Sequence, residues 1–179
     1  PNTVLLGWPG DSAKTEALGP TLRAISHLEQ NIALVRTADD PENPWKAPPG
    51  PIDVWWRGKN NGPLMLLLAH LLARNDAWKG RPIRLIRAVD NEAAREEVTR
   101  HLDDLIESSR IPATSLVVTS EQPLAALQAA SRSAAMVFVG FQPPEEGQES
   151  VLFERIESIV EDLPNVVLVH SRRNVELDT

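Results

Sequence analysis

Cysteine is absent from all 179 residues. That excludes disulfide scaffolds, Cys-ligated zinc sites and thiol nucleophiles, and it fits a reducing compartment. Cations are in the minority: 18 Lys plus Arg face 25 Asp plus Glu, a formal net charge of −7. A protein that binds nucleic acid by neutralising phosphates shows the opposite balance. Long apolar runs are missing as well. The longest, Pro63 to Leu72, is interrupted by His70, whereas a spanning helix needs about 20 apolar residues. No signal peptide is visible, and the chain opens on Pro1 where a complete reading frame has Met, so it reads as a piece of a longer protein. What remains is an acidic globular chain with 42% hydrophobic residues, long enough to bury roughly 70% of its unfolded surface in a single domain spanning 1–179.

Short aliphatic runs alternate with helix-like segments. Val4 to Trp8 reads as a buried strand followed by the turn signal Pro9-Gly10-Asp11. Ala17, Leu18, Leu22, Ile25 and Leu28 give Ala13 to Gln30 near-helical spacing, with Gly19-Pro20 expected to split it. Ile32 to Arg36 is a second strand. Thr37 to Pro51 holds five prolines and no apolar period, so it reads as an exposed, mobile loop. Ile52 to Trp56 is a third strand, and Pro63 suits the first turn of a helix that is apolar nearly all round. Ile83 to Val89 follows as a strand, then a helix capped by Asp90 or Asn91 whose Ala94, Val98, Leu102, Leu105 and Ile106 share a face. Further strands are expected at Leu116 to Thr119, Met136 to Gly140 and Val166 to His170. Helices are expected at Pro123 to Ser133, capped by Ser120, and after Ser150, with Val151, Leu152, Ile156, Ile159 and Val160 inward. Seven strands alternating with five helical segments predict an α/β fold, a mostly parallel sheet with helices on both faces.

Catalytic and metal motifs do not emerge. Gly7 to Thr15 follows a strand and precedes a helix, but Ala13 stands where a phosphate loop needs Gly before its Lys. His27, His70, His101 and His170 form no His-x-x-x-His pair, no Gly-x-Ser-x-Gly elbow occurs, and Asp103-Asp104 point about 100° apart on a helix. The expectation is a chain that is not an enzyme and carries no cofactor or metal.

The most distinctive stretch is Ile52-Asp53-Val54-Trp55-Trp56, continuing to Gly62. Adjacent tryptophans on a strand point to opposite faces. Either both indoles pack inside, or one fills the core while the other faces a partner or the helix Pro63 to Leu72. Asp53, if buried, must find a donor.

These residues carry a resemblance. Asn2 to Pro9, the tandem-tryptophan strand, and Gly62 to Leu72 followed by Trp78 and Ile83-Arg84-Leu85 resemble the cytoplasmic C-terminal domain of cation–chloride cotransporters. Val137 to Gly140, Pro143-Pro144, the helix through Leu163 and Val166 to Val169 are similar to that family's closing elements. Asn61 replaces the first Gly of the family's Gly-Gly pair, Ala69 replaces a proline, and the long regulatory insertion of animal members is missing, as in a minimal, prokaryotic-type member. The resemblance implies a fold like that of universal stress proteins. It also implies a regulatory and dimerising role at the cytoplasmic side of the cell membrane, attached to the protein's own membrane transport domain. It implies homodimers, no nucleic-acid partner and no membrane insertion by this segment. Trp8, Asp53, Trp55, Trp56, Gly62 and Trp78 are its candidate interaction or structural residues. A different class, a small-ligand sensor binding a nucleotide at the carboxyl ends of the strands, fits the same fold class.

Overall fold

The computed structural model describes residues 2–9, 12–37, 47–58 and 60–172. Its elements alternate as β1 (Thr3–Gly7), α1 (Ser12–His27), β2 (Asn31–Arg36), β3 (Ile52–Trp55), α2 (Gly62–Ala73), β4 (Ile83–Val89), α3 (Glu92–Ser109), β5 (Ala113–Thr119), α4 (Pro123–Ser131), β6 (Met136–Gly140), α5 (Glu149–Val160) and β7 (Val166–His170), with a short 3-10 turn at Asp76–Trp78. The seven strands form one sheet in the order β1-β2-β7-β6-β3-β4-β5. Every neighbouring pair is parallel except β2 and β7, which run antiparallel. The expected α/β class and mostly parallel sheet are what the chain adopts.

Two apolar layers sandwich this sheet, because its central strands are aliphatic on both faces. On one face Leu64, Met65, Leu66 and Ala69 of α2 and Leu102 of α3 pack on Ile52, Val54, Leu85 and Phe138. On the other, Leu22 of α1, Leu127 of α4 and Ile156 and Ile159 of α5 pack on Leu34, Trp55, Ile86, Val137 and Leu168. The side chain of Asn91 accepts a hydrogen bond from the Ala94 N–H at 2.9 Å and so caps α3.

Three local expectations are corrected. Helix α1 runs unbroken through Pro20. Pro20 is exposed, and the helix continues past it without the hydrogen bond that its missing N–H would supply. Ser150 does not cap α5: the helix begins at Glu149 with Gln148 at the cap. Val151 does not face inward but is 60% exposed.

Most of the proline-rich loop, including Trp45, lies outside the described residues. Its last residues are held firmly. Arg81 donates to the carbonyls of Ala47 at 3.0 Å and Gly50 at 3.2 Å. Gly50 has φ +117°, and a Cβ there would meet the Ser133 carbonyl oxygen at 2.1 Å, so only glycine fits this turn.

Candidate functional site

Strand β3 is buried over its whole length between parallel neighbours β4 and β6. Asp53 is fully buried and stands opposite Arg84 in the β3–β4 register. The Arg84 guanidinium donates through Nε and Nη2 to the two Asp53 carboxylate oxygens, each at 2.7 Å. This bidentate fork offsets the desolvation of both charges. The same Nη2 donates to the Ala130 carbonyl at 3.0 Å, where the last turn of α4 leaves carbonyls without helical partners. Two residues along β3, and on the same face, the Trp55 indole N–H donates to Ser131 Oγ at 2.9 Å. Asp53 and Trp55 together therefore dock the carboxyl end of α4 onto the sheet.

Trp56 points the other way. Its indole is 1% exposed and packs in the α2–α3 layer, against Gly62 at the start of α2. Of the two readings of the tandem tryptophans, both indoles are inside, and neither presents a surface to a partner. Trp8 is half-buried and meets Phe153 of α5 edge-on, ring centres 5.8 Å apart. Trp78 is half-buried beneath the Arg81 guanidinium, 5.2 Å from its ring centre. The six candidate residues thus do not gather at one place. Asp53, Trp55, Trp56 and Gly62 brace the centre of the sheet, while Trp8 and Trp78 sit apart from them.

A crevice opens where the chain path divides. From β3 it proceeds to β4 and β5 on one side, then crosses back to β6 and β7 on the other. Between the carboxyl ends of β3 and β6, at this switch in direction, lies a crevice of about 270 Å³, the place where open α/β sheets bind ligands. Arg57, Gly58, Asn60, Asn61, Gly140 and Gln142 are among the residues that line it. Its side chains offer a guanidinium and three amides, a set suited to binding an anion or a polar small molecule by hydrogen bonds.

Asn61 organises the crevice and was not singled out by the sequence beyond its replacing a glycine. Its side chain does not cap its own helix. Nδ2 donates to the Phe141 carbonyl at 3.0 Å, and Oδ1 accepts from the Ser171 N–H at 2.9 Å. One amide thereby ties the start of α2 to the ends of β6 and β7. Beside it, His170 is 8% exposed and its ring meets Phe141 edge-on. Burial pushes the His170 imidazole below the usual histidine range, with a hydrogen bond to the Phe141 backbone opposing the shift.

Residues 51–160 match the family model described as the prokaryotic cation-chloride cotransporter, C-terminal domain, 2nd. The chain belongs to that family. This cotransporter domain is also 30% identical over 122 residues to potassium/chloride cotransporter 3 of Caenorhabditis elegans, a match covering 66% of the chain and 11% of that protein. The chain therefore spans only about a tenth of that relative's length. Its fold is similar to the crystal structure of the cytoplasmic domain of a prokaryotic cation chloride cotransporter, with a TM-score of 0.71 and 15% identity, covering 96% of this chain and 64% of the other. A universal stress protein from Archaeoglobus fulgidus DSM 4304 is similar at TM-score 0.61 and 15% identity, covering 98% and 62% of the two chains. The matched stretch corresponds to a C-terminal domain of a cation-chloride cotransporter. No helix among the described residues is long and apolar enough to cross a membrane.

Proposed function

We propose that this domain is the regulatory and dimerising cytoplasmic unit of a cation–chloride cotransporter, catalysing no reaction and moving no ions itself. The family match over residues 51–160 carries the reading. The architecture supports it in physical terms. The centre of the sheet is cross-braced by the buried Asp53–Arg84 fork and the Trp55–Ser131 bond, so the domain is built to pass displacement on as a rigid body. A rigid body held by two subunits can bias both membrane parts together. Sedimentation equilibrium from about ten to several hundred micromolar tests the pairing, since tethering in a bilayer favours micromolar rather than tighter association. A two-fold dimer in that range is expected, and a single 19.7 kDa species throughout sinks the dimerising role for this chain.

A second reading, a small-ligand sensor, is favoured by the crevice at the switch point and its Arg57, Asn60 and Gln142. Isothermal titration with ADP and ATP tests it. Binding weakened by Arg57→Ala supports a nucleotide sensor, and the absence of heat at millimolar nucleotide rejects it.

A further inference from the structure

Strand β5 closes one side of the sheet with a bare edge. It pairs with β4 in unbroken register from Ala113 to Thr119, and among the described residues no strand pairs with its outer side. The segment Ala113-Thr114-Ser115-Leu116-Val117-Val118-Thr119 holds no charge, proline or glycine. Edge strands are ordinarily guarded by lysine, proline or a bulge, since an open row of N–H and C=O groups recruits another strand. β5 has none of these guards. The hydroxyls of Ser115 and Thr119 do not shield it either, because they donate to α3, to Asp103 Oδ1 at 2.6 Å and Glu92 Oε2 at 2.8 Å.

One hydrogen bond fixes which backbone groups stand open. Just beyond the strand, the Ser120 N–H donates to the Val89 carbonyl at 2.8 Å. Successive strand residues turn their backbone groups to alternate sides, so Thr114, Leu116 and Val118 face β4, while Ala113, Ser115, Val117 and Thr119 face outward. The outward set is symmetric about Leu116. Laid antiparallel on its own copy, the strand sets Ser115 against Val117 and Ala113 against Thr119, and both members of each pair offer outward groups. About eight inter-chain hydrogen bonds result. Leu116 then meets its own copy at a non-hydrogen-bonded position, where side chains come closest. Leu116 and Val118 are half-buried apolar residues on the α4 face, suited to that contact. The flanking charges suit the same register. Within three residues of either end of the strand the charged side chains are Arg110 before it and Glu121 after it, both exposed. The two-fold brings Arg110 of each copy beside Glu121 of the other. The opposite edge, β1, has five residues and ends on Gly7, and its flanking Asn2 and Trp8 carry no charge.

We infer, given the dimerising role proposed above, that its interface is this edge: β5 of one copy pairs antiparallel with β5 of a second, about a two-fold axis between their Leu116 residues, joining two sheets into one. A second copy fits better than an unrelated strand. The outward groups, the central leucine and the flanking charges all match themselves under one rotation, as a two-fold contact requires. An unrelated strand would need the open groups alone. The contact is one strand wide on each side, in keeping with micromolar rather than tight association.

The test uses the 179-residue chain, which has no cysteine of its own. Leu116→Cys places the only thiol of each copy at the axis, where Cα atoms about 4.5 Å apart suit a disulfide. Mild oxidation should link it into covalent dimers at least about tenfold faster than Thr114→Cys, whose copies would stand about 13 Å apart. Thr114 is the more exposed of the two positions, so access alone predicts the reverse order. Ser115→Pro removes an outward N–H and leaves the β4 ladder whole. In sedimentation equilibrium it should weaken association about tenfold, the loss of one inter-chain donor from each copy. Arg110→Glu and Glu121→Arg should each weaken it, and the two together should restore it. Linkage of Thr114→Cys as fast as Leu116→Cys, full association of Ser115→Pro, or a charge swap that restores nothing overturns this interface and leaves the dimerising role standing. Loss of association in Leu5→Lys but not in Ser115→Pro overturns it in favour of the β1 edge. A wild-type chain that stays monomeric overturns interface and role together. Should Ser115→Pro fail to fold, by circular dichroism, the cysteine pair and the charge swap decide.

Discussion

Gly62 lies so close to the indole of Trp56 that a Cβ at position 62 would stand 2.5 Å from two of its ring carbons. The opening turn of α2 and the end of β3 are in direct contact there, with no room for a side chain between them. Since the Trp56 ring is 1% exposed and enclosed by the α2–α3 layer, it has nowhere to retreat. Gly62→Ala is therefore expected to lower unfolding stability by about 1–3 kcal/mol, the cost of overpacking a dense core. Urea denaturation measures it, and a loss below about 0.5 kcal/mol, the range of neutral surface changes, would mean the ring shifts freely.

The Asp53–Arg84 fork predicts non-additive energetics. Arg84→Ala leaves a fully buried carboxylate unpaired, at a cost of about 3–5 kcal/mol. Replacing both residues, Asp53→Leu with Arg84→Met, removes the stranded charge along with its partner and should recover most of that loss. A double-mutant cycle in urea decides the point. Additive losses would show that the pair is not coupled.

Asn61→Gly removes two hydrogen bonds, to Phe141 and to Ser171. The expected cost is about 1–3 kcal/mol, with faster amide exchange at Ser171 than at residues of β4. Unchanged protection at Ser171 would mean that Asn61 does not hold the end of β7.

His170 predicts a pH dependence of definite sign. Its folded-state value lies below the ordinary 6.5 because burial disfavours the charged ring. Between these two values the unfolded chain binds more protons, so stability present above about pH 6.5 is lost as the pH falls through the folded value. His170→Gln should flatten the melting-temperature profile from about pH 7.5 to about pH 5.5. Glu92 and Glu149 are also held low, chiefly by hydrogen bonds from Thr119 and Arg23, but their window lies below 4.5. An equally steep profile in the variant would assign the slope to other groups.

Strands β4, β6 and β7 occupy the spans their aliphatic runs predict, because a strand buried on both faces declares itself by continuous hydrophobicity. β5 begins three residues before its expected start, since Ala113, Thr114 and Ser115 pair with β4 through backbone groups that leave no trace in side-chain polarity. The reversal of direction between β2 and β7 is likewise invisible, as it depends on how two distant segments dock. A donor for Asp53 could be demanded from the sequence but not named. Arg84 lies 31 residues away and faces it only through the strand register. Asn61 hid for a related reason: its partners, Phe141 and Ser171, lie 80 and 110 residues downstream.

The antiparallel seam between β2 and β7 has a mechanical consequence. Because β1 and β2 run against the other five strands, Asn2 and Arg172, the outer limits of the described fold, come to the same side of the sheet. Asn31 holds both, its N–H donating to the Asn2 carbonyl at 2.8 Å and its side-chain oxygen accepting from the Arg172 N–H at 3.0 Å. Tension applied through these two points loads the seam from one side, so its hydrogen bonds open in succession, like a zipper. A pull along the strands would instead have to shear the whole ladder at once. A transporter tugging on this domain would thus meet a compliant corner at Asn31 and an unyielding block beyond it.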